Sequence, residues 1–275
     1  MLLTHRLLLA MTLLLTVHLA YAATDDCVER AAKIVQQAYP KAKSTAEDRF
    51  TVNGAVITLP SSDAFRSDPH AMVCKTWPAQ PQRLLVAVPL MTKTGDDQNE
   101  GDLELLVLDK ATLKVQQRLK LAGRMSDDAI QIRNVVLDTA RYQLAPNIIA
   151  FGLRLTQENN SHASPFAEVD LGLYAIDHGQ LHPVLNGIVT QRSNGEADTH
   201  CAGTLSETTR TLAMNSAVHN GYADILVTET SSLSVSVAGK DGQCYDKPGN
   251  EGKQSYRLGY DGKNYPVPEA LRPLG

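Results

Sequence analysis

Apolar and polar residues alternate in short runs from Arg83 to the end of the chain, which is the pattern of half-buried β-strands. The runs are rich in Val, Ile, Leu, Tyr and Thr, and Asp, Gly, Asn or Pro residues separate them. The pattern predicts strands at 83–91, 102–109, 113–121, 129–137, 147–156, 167–177, 180–191, 209–216, 222–230, 232–238, 254–260 and 263–268. The sequence therefore predicts a mainly β protein.

Only one segment has convincing helical periodicity. Residues 24–39 carry an apolar stripe at i, i+3, i+4 and i+7, and Thr24 or Asp25 can cap the helix at its N-terminus. Pro40 ends the pattern. We expect one N-terminal helix, followed by a polar connector that is interrupted by prolines and contains a strand at 50–58.

Two strand–turn–strand segments resemble each other. DLELLVLD (102–109) and DLGLYAID (170–177) match at four of eight positions, and a short turn leads from each into another strand. A third, looser copy is SYRLGYDGKNYPV (255–267). Because their spacing is irregular, they predict an antiparallel meander rather than a regular repeat array. An irregular β-propeller-like fold is the first prediction, and a two-sheet sandwich is the alternative.

The N-terminus has the pattern of a secretory signal peptide. Arg6 precedes an apolar run from Leu7, and Ala20-Tyr21-Ala22 fits the small-x-small cleavage rule. We therefore divide the chain into a signal peptide (1–22), an N-terminal helix with its connector (23–82) and an antiparallel β domain (83–275). The expected location is the periplasm or the exterior of the cell.

Charge and composition exclude several classes of partner. The formal net charge is −4 and there is no basic run, so nucleic acid is not expected as a partner. Beyond the signal peptide no apolar stretch approaches the ~20 residues that a membrane span needs. Aromatic residues make up only 5% of the chain, which disfavours a carbohydrate-binding platform.

Four cysteines, Cys27, Cys74, Cys201 and Cys244, suggest two disulfide bonds in an exported chain. Four cysteines allow three pairings. We favour Cys27–Cys74 with Cys201–Cys244, because each pair closes a local loop and neither loop contains the other. No CxxC pair supports a zinc site.

An acidic segment, TGDDQNEGD (94–102), is the best candidate for a metal site. Calcium prefers hard oxygen ligands on a tight loop, and the candidate ligands here are Asp96, Asp97, Asn99 and Asp102. The EF-hand spacing is absent, and a solvated acidic hairpin tip is the favoured interpretation. No cofactor other than structural calcium is suggested.

The segment GEADTHC (195–201) places Glu196, Asp198 and His200 on one face if the chain is extended. They could act as metal ligands or as acid/base groups of a hydrolase-type site. Side chains at i and i+2 lie ~6–7 Å apart on a strand, too far to converge on one ion without a bend. A loop fixed by a disulfide is therefore favoured.

No catalytic motif occurs elsewhere: GxSxG, HExxH, GxxxxGK[ST] and a GxGxxG after a strand are all absent. The segment LVTETSSLSVSV (226–237) predicts strand structure with a hydroxyl-bearing outer face. The leading hypothesis is a non-catalytic exported protein that binds another protein or a component of the cell envelope. The alternatives are a hydrolase-type enzyme built around residues 196–200 and a calcium-stabilised structural module.

Overall fold

The computed structural model describes residues 26–63, 68–198, 200–241 and 243–273. The predicted signal peptide and the predicted capping residues Thr24 and Asp25 lie outside these ranges. Within these ranges the chain forms one α-helix, fourteen strands and a short 3-10 helix at Glu269–Leu271. Their bounds are α1 Asp26–Ala38, β1 Lys43–Ala46, β2 Arg49–Val52, β3 Ala55–Thr58, β4 Val73–Thr76, β5 Arg83–Lys93, β6 Glu100–Asp109, β7 Val115–Leu121, β8 Gln131–Ala145, β9 Ile148–Glu158, β10 Phe166–Asp177, β11 Gln180–Ala197, β12 Gly203–His219, β13 Tyr222–Ala238 and β14 Cys244–Leu258.

The strands form two antiparallel sheets of seven strands each. Sheet 1 has the order β1-β2-β3-β5-β6-β7, with β4 also paired to β5. Sheet 2 is a continuous meander in the order β14-β13-β12-β11-β10-β9-β8. The fold is therefore mainly β, as predicted. The two-sheet sandwich alternative fits it, and the propeller is not confirmed.

Two-residue turns join several of the strands. Asn53-Gly54, His178-Gly179 and Asn220-Gly221 all have positive φ angles, the conformation that matches the twist of a tight hairpin. They connect β2 to β3, β10 to β11 and β12 to β13. The two similar segments found in the sequence become β6 and β10, one in each sheet.

The predicted strand at 263–268 does not form. Asp261 closes a turn by accepting hydrogen bonds from the backbone N–H groups of Lys263 and Asn264, both at 2.8 Å. Beyond it, Pro266 and Pro268 lack the N–H groups that a ladder requires. Tyr265 is buried, and its N–H donates to the carbonyl of Val184. This C-terminal segment therefore covers sheet 2 instead of extending it.

Three apolar clusters lie between successive layers. The first fills the space between the two sheets and includes Trp77, Leu105 and Phe151. The second contains residues of sheet 2 and of the C-terminal segment, including Leu173 and Tyr265. The third lies between α1 and sheet 1. The order of layers is helix, sheet 1, sheet 2 and C-terminal segment.

The helix is joined to sheet 1 by covalent and polar contacts as well as by packing. Cys27 and Cys74 form a disulfide with a Cα–Cα distance of 5.6 Å. The Tyr39 hydroxyl donates to Glu104 Oε2 at 2.5 Å, and Arg118 donates to the carbonyl of Ala38 at 2.8 Å. Burial, reinforced by the hydrogen bond to Glu104, raises the pKa of Tyr39 well above its ordinary value. The phenol therefore stays protonated and keeps its role as donor.

Gly152 of β9 lies at a crowded point of sheet 2. A Cβ atom there would come within 2.7 Å of Leu171 Cδ1 and 3.0 Å of Asp138 Cβ. We expect Gly152→Ala to lower the free energy of unfolding by about 1–3 kcal/mol, because both neighbours must move. Thermal or urea unfolding measures this loss.

Gly95→Ala is the matched control, because its added methyl group would lie 3.4 Å from the carbonyl oxygen of Gln98. It should change stability by less than about 0.5 kcal/mol. Equal effects of the two substitutions would contradict the packing described at Gly152.

Candidate functional site

The segment GEADTHC begins in β11, which ends at Ala197, and its described residues Asp198, His200 and Cys201 lie in the turn before β12. Asp198 Oδ1 accepts hydrogen bonds from the backbone N–H groups of His200 at 2.7 Å and Ala202 at 2.8 Å. These bonds lower the pKa of Asp198 below its ordinary value. Glu196 and His200 are exposed. The carboxylate of Asp198 thus stabilises the turn.

The same turn is covalently joined to the edge of sheet 2. Cys201, in a left-handed conformation with φ 73°, forms a disulfide with Cys244, the first residue of β14. The structure contains this bond and Cys27–Cys74, and the described residues include no free cysteine. Two disulfides are typical of a chain that folds in an oxidising compartment.

The acidic segment 94–102 is held by polar contacts within the protein. Asn99 is buried, and its Nδ2 donates to Asp127 Oδ1 at 2.6 Å. Asp102 pairs with Lys120 at 2.6 Å and accepts from the N–H of Gly123 at 2.7 Å, contacts that lower its pKa. The residues before it, Asp96 and Asp97, are exposed. In the described part of the chain, no group of three or more His, Cys, Asp or Glu side chains could hold a metal ion.

The distal parts of β11 to β14 extend beyond the apolar clusters. Among the described residues of 191–209 and 228–255, none belongs to the buried clusters, although these segments pair with one another over most of their length. We call this four-stranded region the extension. Hydrogen bonds between strands and the disulfide at its tip hold it together, so it depends little on an apolar core.

A groove of about 900 Å³ crosses the base of the extension and the adjoining strands β9 and β10. Its floor contains one cross-strand row, in which each residue is the Cα partner of the next on the neighbouring strand. From β10 to β14, the row is Glu168, Arg192, Thr208, Ser231 and Gly252. Direct neighbours on antiparallel strands share one face of the sheet, so these side chains point the same way.

The row changes in chemistry along its length. At one end Arg192 bonds to Glu168 Oε2 through both Nε, at 2.7 Å, and Nη2, at 2.6 Å. Thr208 and Ser231 supply hydroxyl groups in the middle. At the other end, a Cβ atom on Gly252 would lie only 2.5 Å from Ser231 Oγ, so glycine leaves that end open. The groove therefore offers an ion pair and hydroxyl groups to an extended polar ligand.

The groove opens toward an edge of the sheet, because β14 is the last strand in the order of sheet 2 and follows β13. Residues near the middle of this edge strand include Lys247, Pro248 and Gly249, and Lys253 lines the groove itself. Within the described ranges no helix is long and apolar enough to cross a membrane.

A histidine–carboxylate pair lies at the opposite end of β12 and β13. His219 Nδ1 is 2.6 Å from Asp224 Oδ1, and the Asp224 side chain is fully buried whereas His219 is exposed. The contact fixes the orientation of the imidazole. The Asn220-Gly221 hairpin brings Asp224 close to His219.

The two disulfides should differ in their effect on stability. The double substitution Cys201→Ser/Cys244→Ser should speed amide exchange in residues 203–209 and 244–252. It should change the thermal midpoint of the core little, because the extension contributes nothing to the apolar clusters. Hydrogen exchange followed residue by residue, together with calorimetry, measures both effects.

Removal of the other bond by Cys27→Ser/Cys74→Ser is the comparison. It removes the covalent bond between α1 and sheet 1 and should lower global stability by about 2–5 kcal/mol. A large fall in the midpoint caused by loss of the tip disulfide would show instead that the extension and the core unfold together.

Neither family models, nor curated proteins, nor solved structures give a significant match to this chain.

Proposed function

We propose that this is an exported, non-catalytic binding protein of the cell envelope, periplasmic or secreted, and that the groove at the base of the extension is its binding surface. The observation that carries the proposal is the cross-strand row of Glu168, Arg192, Thr208, Ser231 and Gly252. Five strands contribute to one continuous polar surface, which suits a ligand that lies across the strands.

The chemistry of the row supports a polar and extended partner. The hydroxyl groups of Thr208 and Ser231 both donate and accept hydrogen bonds, so they can pair with peptide groups of either polarity. Glu168 is almost fully buried and already bonded to Arg192, so the ion pair fixes the floor of the groove. An extended segment of another envelope protein has backbone N–H and C=O groups that can pair with these hydroxyl groups.

The disulfides and the predicted signal peptide support the assignment to an exported compartment. The tip bond supports the binding role as well, because it joins the turn between β11 and β12 to β14, where the strands contribute no residue to the apolar clusters. A binding surface built on connected strands loses little conformational freedom when a ligand docks.

Site-specific photocrosslinking tests the proposal. A photoreactive amino acid at position 208 should give a discrete adduct with a partner from the exported-protein fraction, because Thr208 lies on the floor of the groove. Ser231→Arg in the same protein should abolish this adduct, because the longer side chain would fill the groove. Mass spectrometry identifies the adduct and measures its yield.

Ser255 provides the matched control position. It is an exposed serine of β14 that does not line the groove, and it lies on the opposite face from Gly252 because side chains alternate along a strand. A photoreactive residue at 255 should give no such adduct. Equal adducts from positions 208 and 255, or none from either, would refute the groove as the binding surface.

A further inference from the structure

A second cavity, of about 710 Å³, lies next to the groove and has a different chemistry. It is bounded by residues 138–142 of β8 on one side and by residues 209–214 of β12 on the other. These strands approach each other across sheet 2 without pairing. Val169, Gln191 and Thr209 line both spaces, whereas Thr208 and Ser231 belong to the groove alone.

An irregularity in β8 brings a cationic side chain into the lining. Asp138 pairs with Gly152, but the next paired residue, Tyr142, is opposite Ala150, so three residues of β8 face one residue of β9. Asp138 Oδ1 accepts a hydrogen bond from the N–H of Ala140 at 2.8 Å, which stabilises the bulge. Bulges redirect side chains and often occur next to binding sites. Here the bulge carries Arg141, which lines the cavity.

Two other guanidinium groups line the cavity, and both are neutralised within the protein. Arg154 donates from Nε to Asp138 Oδ2 at 2.7 Å and from Nη1 to Thr190 Oγ1 at 2.9 Å. Arg210 donates from Nε to Glu229 Oε2 at 2.7 Å. These fixed pairs leave the two guanidinium planes rigid.

Arg141 differs from both. It is exposed, and among the residues that the structure describes no hydrogen bond or ion pair engages its guanidinium. The net charge at the cavity is one positive charge. Three arginines line it, and two carboxylates offset them: Asp138 and Glu229, which is bonded to Arg210. An anion that enters can therefore pair with Arg141 without displacing an existing partner.

The remaining wall has an apolar part and a polar part, and the polar part consists of Thr190, Gln191, Thr209 and Thr211. The apolar part of the lining consists of Val169, Leu212, Ala213 and Met214. Leu212 and Met214 also pack against the second apolar cluster. Methionine adapts to ligands of different shape. A small molecule with both an apolar part and an anionic group would satisfy this lining, and the volume lies in the range of ligand sites.

We propose that this cavity binds an amphipathic anion, a carboxylate or phosphate attached to an apolar chain or ring, and that Arg141 pairs with its anionic group. The apolar part lies against Leu212 and Met214. This proposal is independent of the groove and does not require a macromolecular partner there.

Fluorescence titration with 11-(dansylamino)undecanoate, a charged amphiphile, tests the proposal. Its methyl ester serves as the uncharged probe. The protein should bind the acid, and Arg141→Gln should weaken that binding about tenfold while leaving the ester unaffected, because only the acid makes a charge-assisted bond. Met214→Gln should weaken both probes, since it removes apolar contact.

Arg257→Gln is the matched control, because Arg257 is an exposed strand arginine of β14 outside the cavity. It should leave both affinities unchanged. Circular dichroism and the thermal midpoint establish that every variant is folded. Failure of the acid to bind, or an affinity that Arg141→Gln does not alter, would overturn the proposal.

A second arm distinguishes the source of the anionic group. Vesicles of phosphatidylcholine with and without phosphatidylglycerol are sedimented with the protein in parallel with the titration. Sedimentation that requires phosphatidylglycerol and Arg141 identifies a lipid headgroup as the anion. Binding of the free acid alone identifies a soluble amphiphile. The site is refuted if Arg141→Gln changes neither the binding of the free acid nor the sedimentation with vesicles.

Discussion

The burial of β5 and β6 on both faces is the constraint on which the rest of the structure depends. Along β5, Leu85 and Ala87 face the space between the sheets, whereas Leu84, Val86 and Val88 face the helix. Residues of β6 alternate in the same way. Such strands cannot be left with one face in water, since each buried Leu or Val contributes about 1.5–3 kcal/mol relative to its exposed state. Helix α1 covers one face and sheet 2 the other.

The two ends of sheet 2 differ in how much apolar surface they bury. Near β8 to β11 it packs on sheet 1 and is covered on its other side by the C-terminal segment. Toward the far ends of β11 to β14 the apolar clusters stop and the strands continue. Those distal parts rely on backbone pairing and on Cys201–Cys244 for their order. The molecule thus combines a densely packed body with a polar extension, and both candidate binding regions lie near their junction.

Local signals in the sequence predict most of the strands but not their extent. Eleven of the twelve segments predicted beyond Arg83 overlap an observed strand, because burial on one face imposes a period of two. The polar ends of β11, β12 and β14 were missed, because these segments lack the apolar alternation that an underlying core imposes, whereas the polar end of β13 was predicted at 232–238. The turn at Asn53-Gly54 was also missed within the predicted strand 50–58, although Asn-Gly is a strong hairpin signal. The propeller expectation arose because similar hairpins indicate a meander without specifying which sheet each one joins.

The candidate binding regions were predictable only in part. Thr230, Ser231 and Ser232 belong to the hydroxyl-rich segment recognised in the sequence, and all three line the groove. Glu168 and Arg192 come beside them only through the register of five strands, which residue spacing alone does not contain. The cavity around Arg141 likewise requires a bulge and the approach of β8 to β12. Short-range clusters such as 94–102 and 196–200 were conspicuous because they are contiguous, but contiguity is typical of turns as well as of sites.

The composition of edge strand β14 has a consequence for behaviour at high concentration. An edge with unpaired backbone groups invites the edge of a second molecule, and continued pairing of this kind leads to fibrillar aggregates. Pro248 lacks an N–H group, and charged side chains at Lys247, Glu251 and Lys253 would be brought against those of a second copy. This strand is therefore unsuited to self-templating, which allows the chain to expose a long polar sheet without polymerising through it.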